Sequence, residues 1–161
     1  MKKTVLFICL ATLLGCSSDG SNSETEIPDG RDSVSLIFGW YGDYSCMGDC
    51  TSMYKLEDGM VFRDTDFAPL GNPYFEGNFE RMLNADYEDF EVLITALPDE
   101  IFDAPNGCLD STDCNDTSGG LYLEYKKGQS VHSSWRFNGL PAYMETYRSL
   151  FIDKLAEINS L

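Results

Sequence analysis

From residue 34 onward the hydrophobic positions change period several times, and each change marks an element. Val34, Leu36, Phe38 and Trp40 alternate with Ser35, Ile37 and Gly39, which predicts a strand. Residues 41–50 are too rich in Gly and Asp to continue it. Two short strand-like runs, 54–57 and 60–63, flank Asp58-Gly59, a dipeptide suited to the two left-handed positions of a type I′ hairpin turn. Residues 65–78 contain Pro69, Gly71, Pro73 and Gly77 and read as a loop crossing the surface. The spacing then becomes helical over 85–97, with Phe90, Leu93, Ile94 and Leu97 on one side. Asn84 or Asp86 can cap that helix, acids at 86, 88 and 89 suit its positive end, and Pro98 stops it.

A second irregular loop covers 105–120. Leu121, Leu123 and Tyr125 then alternate with Tyr122, Glu124 and Lys126, and a turn at 127–129 leads into Val131, Ser133, Trp135 and Phe137. The other face of that last run is His132, Ser134 and Arg136. After Pro141 a long helix follows, with Tyr147, Leu150, Phe151, Leu155 and Ile158 as its buried stripe. The order βββ-α-ββ-α predicts an α+β domain: an antiparallel sheet of about five strands with two helices packed on one face. With 10 Phe, 9 Tyr and 2 Trp in the chain, residues 33–161 hold enough apolar surface for one core and are expected to form a single domain.

The first 32 residues have a different character. Lys2 and Lys3 precede an apolar run from Thr4 to Leu14, the layout of a secretory signal and too short to span a bilayer core about 30 Å thick. The run closes on Leu13-Leu14-Gly15-Cys16, which resembles the lipobox of bacterial lipoproteins. That resemblance implies removal of residues 1–15 and attachment of palmitate-type acyl chains at Cys16, several of which give permanent anchorage in a lipid bilayer. In lipoprotein families an Asp after the modified cysteine often signals retention at the inner membrane, so Ser17 is compatible with the outer membrane, the expected location. Residues 16–32 are Ser, Gly, Asp and Glu with little to bury, and are expected to form a flexible acidic tether reaching on the order of 20 Å.

Charge narrows the partners. The chain has 11 Lys+Arg against 27 Asp+Glu, and losing Lys2 and Lys3 with the leader leaves 9 against 27, a formal charge of −18. Such a surface repels nucleic-acid phosphates, so no nucleic-acid partner is expected; an envelope protein or a cationic ligand is compatible with it.

Beyond Cys9 and Cys16 four cysteines remain: Cys46, Cys50, Cys108 and Cys114. In an exported chain they are expected to be oxidised, and four cysteines allow three pairings. Cys46–Cys50 and Cys108–Cys114 are favoured because each pair sits in one Gly/Asp-rich loop; a bridge between the loops is the rival. Zinc fits less well, since C-x3-C has the spacing of a structural site and C-x5-C does not. A thiol oxidoreductase would carry C-x-x-C at a helix start.

The first strand, the C-x3-C loop from Cys46 to Cys50, Tyr54, the Asp58-Gly59 hairpin, the Cys108 to Cys114 loop, Gly119-Gly120 and the strand after it together resemble uncharacterised Gram-negative envelope lipoproteins. The resemblance spans most of 33–161 and implies a fold without implying an activity. Leu109 stands where those proteins place Pro.

Three further groups bear on chemistry. Asp110, Asp113 and Asp116 recur in an oxygen-rich loop and are weak candidates for Ca2+, although the alternating acids and closing Glu of a calcium loop are missing. His132 shares a face with Ser134, but alternate residues of one strand lie about 7 Å apart, too far for direct proton transfer. No nucleophile elbow, P-loop or zinc-protease motif is present, so a catalytic role has no support in the sequence. Among the aromatics near the first cysteine loop, Trp40 and Tyr54 are expected to pack, and Tyr41, Tyr44 and Met47 to form an interaction surface. The sequence therefore predicts a lipid-anchored, non-catalytic binding module, with a calcium-binding or hydrolytic protein acting through 108–120 as the alternative.

Overall fold

The computed structural model describes residues 33–42, 51–67, 70, 74–109, 119–137, 139 and 141–161. The leader, the tether, Cys16, Tyr44, Met47, Cys46, Cys50, Cys114 and the three candidate calcium aspartates lie outside these residues.

The chain forms a mixed α+β structure built on one sheet. Its strands are β1 (Val34–Tyr41), β2 (Thr51–Glu57), β3 (Met60–Asp64), β4 (Phe79–Arg81), β5 (Gly107–Cys108), β6 (Gly120–Lys127) and β7 (Val131–Phe137). Their spatial order is β4-β3-β2-β1-β6-β7-β5, antiparallel throughout except where β5 runs parallel to β7. The sheet thus has seven strands rather than about five. The two additional ones, of three and two residues, lie at the edges and are held by their neighbours' hydrogen bonds instead of by a hydrophobic alternation of their own.

The β2–β3 turn has φ of 51° at Asp58 and 72° at Gly59, as its sequence predicts. The helical run is less regular than its spacing. It divides into α1 (Tyr87–Phe90) and α2 (Val92–Thr95), joined at Glu91, and after Pro98 continues as a 3-10 turn at Asp99–Asp103. Val92, Ile94 and Thr95 are β-branched and weak helix formers, so tertiary contacts hold this segment. A 3-10 turn at Ala142–Met144 then leads into α3 (Glu145–Asn159), which buries Tyr147, Phe151, Leu155 and Ile158.

The main core lies between one sheet face and these helices. Leu36, Phe38, Tyr54, Leu56, Val61, Leu121, Leu123, Trp135 and Phe137 meet Phe90, Leu93, Ile101, Met144, Tyr147 and Phe151 there. Two hydroxyls in the layer find partners: Tyr147 donates to the Leu93 carbonyl at 2.8 Å, and Tyr54 to Asn159 Oδ1 at 2.7 Å. Tyr54 packs as expected, but Trp40 is 45% exposed, because on β1 the helix-side core ends at Phe38.

The opposite face is also covered. The connection between β3 and β4 closes on itself through the Thr65 N–H to Asn78 O bond of 2.9 Å, and Asp64 accepts the Asn78 N–H at 2.8 Å. It brings Phe75 over a smaller cluster of Ile37, Tyr41, Met53 and Tyr122. Tyr41 is consequently 3% exposed and is no surface anchor: it shares the Ile37 side of β1, which this connection overlays.

Candidate functional site

On this second face β6 and β7 assemble a polar cluster around one carboxylate. Their register pairs Glu124 with Ser134, Tyr122 with Arg136 and Lys126 with His132. Side chains two apart share a face, so Tyr122, Glu124, His132 and Ser134 all project towards the connection that carries Tyr74 and Phe75.

Glu124 is 6% exposed. Its Oε2 accepts the Tyr122 hydroxyl at 2.5 Å and the Phe75 backbone N–H at 2.9 Å, and its Oε1 lies 2.7 Å from His132 Nε2. Withdrawing an isolated carboxylate from water costs several kcal/mol, and three donors on two oxygens offset that cost. An ionised carboxylate only accepts hydrogen bonds, so the network assigns the imidazole proton to Nε2 and leaves Nδ1 as the acceptor in the neutral ring. Burial raises the Tyr122 pKa well above its ordinary value; the Glu124 charge and its hydrogen bond add to the rise, against smaller opposing contributions from Ser134 and the Phe75 backbone.

Tyr74 fixes the histidine from outside. Its ring stacks on the imidazole with centroids 3.5 Å apart and planes 8° from parallel, and its hydroxyl donates to the His132 carbonyl at 2.9 Å. Beside it, the Ser134 N–H donates to Asn106 Oδ1 at 3.0 Å. Both contacts satisfy backbone groups of β7, and beyond them β5 pairs with Trp135 and Arg136.

A histidine oriented by a buried carboxylate can hold a proton, orient a donor or serve as one ligand of a metal. Among the described residues, however, no group of three or more His, Cys, Asp and Glu could hold an ion. No helix among them is long and apolar enough to cross a membrane.

The cysteine-bearing stretches have a different location. Tyr41 pairs with both Thr51 and Gly120, Leu121 with Phe137, and Cys108 with Arg136. The residues flanking 43–50 and 110–118 therefore lie at one end of the sheet, where Trp40 is exposed. Cys108 is disulfide-bonded, and every other cysteine lies outside the described residues.

The sequence singles out His132 and Ser134 but neither Glu124 nor Tyr74. The signal for Glu124 was present: a hairpin turning at 128–130 puts the Tyr122–Glu124 face of one strand beside the His132–Ser134 face of the next. Tyr74 carried no such signal, since it arrives from a loop about 50 residues earlier in the chain. No protein-family model, curated protein or solved structure matches the chain.

Proposed function

We propose that the chain is a lipid-anchored protein of the bacterial cell envelope, attached to the outer membrane through acylated Cys16, and that its folded domain is a non-catalytic binding module. The Leu13-Leu14-Gly15-Cys16 motif carries this reading. Its partner is an envelope protein or cationic ligand, in keeping with the negative charge. The exposed Trp40 indole, beside the flanks of both cysteine-bearing stretches, supports recognition at that end of the sheet. The proposed disulfides are Cys46–Cys50 and Cys108–Cys114.

Cys16→Ser tests the anchor. The variant is expected to incorporate no radiolabelled palmitate and to leave the membrane pellet for the soluble fraction; unchanged labelling and sedimentation would refute the proposal. The calcium alternative predicts heat on titrating millimolar Ca2+ into the mature protein, lost on Asp113→Asn. A flat calorimetric trace removes it.

A further inference from the structure

We draw no further inference here: the strongest candidate, the surface patch on the 3-10 turn at Asp99–Asp103 where the Phe102 ring stands 41% exposed among Asp99, Glu100 and Asp103, is an acidic cluster around one apolar ring, and nothing in the structure shows what covers it.

Discussion

Gly39→Ala is expected to destabilise the domain by at least about 3 kcal/mol, the upper end of overpacking in a protein core. Gly39 sits in the middle of β1, paired with Met53 on one side and Tyr122 on the other. A Cβ built there would overlap the Ser52 carbonyl oxygen and lie 2.8 Å from Met53 Sδ. The thioether could rotate away; the carbonyl belongs to β2 and cannot move without breaking the central ladder. Relief would require separating β1 from β2, the pair that supports both cores. Urea unfolding followed by far-UV circular dichroism measures the effect, and a loss under about 1 kcal/mol would show that the strands are not in such close contact.

The second large effect is alkaline. Tyr147 is raised far above its ordinary value of 10.0 by burial, and Tyr122 by burial and then by the Glu124 charge. Each keeps its proton in the native state at a pH where the unfolded chain has released it, so above pH 10 the folded state binds more protons. Stability from these groups is complete below pH 10 and declines as pH rises beyond it. The decline approaches about 1.4 kcal/mol per pH unit for each group, or about 2.7 kcal/mol per unit for the two. Urea midpoints at pH 8, 10.5 and 11.5 should trace it. Tyr147→Phe should be about 1 kcal/mol less stable at pH 8, having lost the bond to Leu93, yet should fall about half as steeply at high pH. Parallel declines in both proteins would exclude Tyr147 as a source of the slope.

Much of the architecture was legible because its signals are local. The alternation in β1, β6 and β7 follows from the two-residue pleat, and the Asp58-Gly59 turn from backbone sterics. The α3 stripe reflects the helical period, and four of its five predicted positions are buried, with Leu150 at the margin. Trp40 and Tyr41 show where a local reading ends. Alternation assigns each to a face, but exposure depends on what covers that face, and here Trp40 lies outside the helix-side core while Tyr41 belongs to the buried cluster on the other face. The short edge strands were invisible for a related reason: two or three residues show no period, and their pairing depends on the neighbour available.

By itself the sequence determined the acidic charge balance, the α+β class, the main strand faces and the position of the tight turn. These depend on composition or on residues within a turn or a pleat of one another. Only the tertiary structure brought Tyr74 and Phe75 against Glu124 and His132, and only it exposed Trp40 while burying Tyr41. Such contacts join residues remote along the chain, so they arise from the order in which strands pair and from the path of the connection laid across them. That path also decided that a carboxyl side chain near the middle of a strand would be buried, with an N–H, a hydroxyl and an imidazole as its partners.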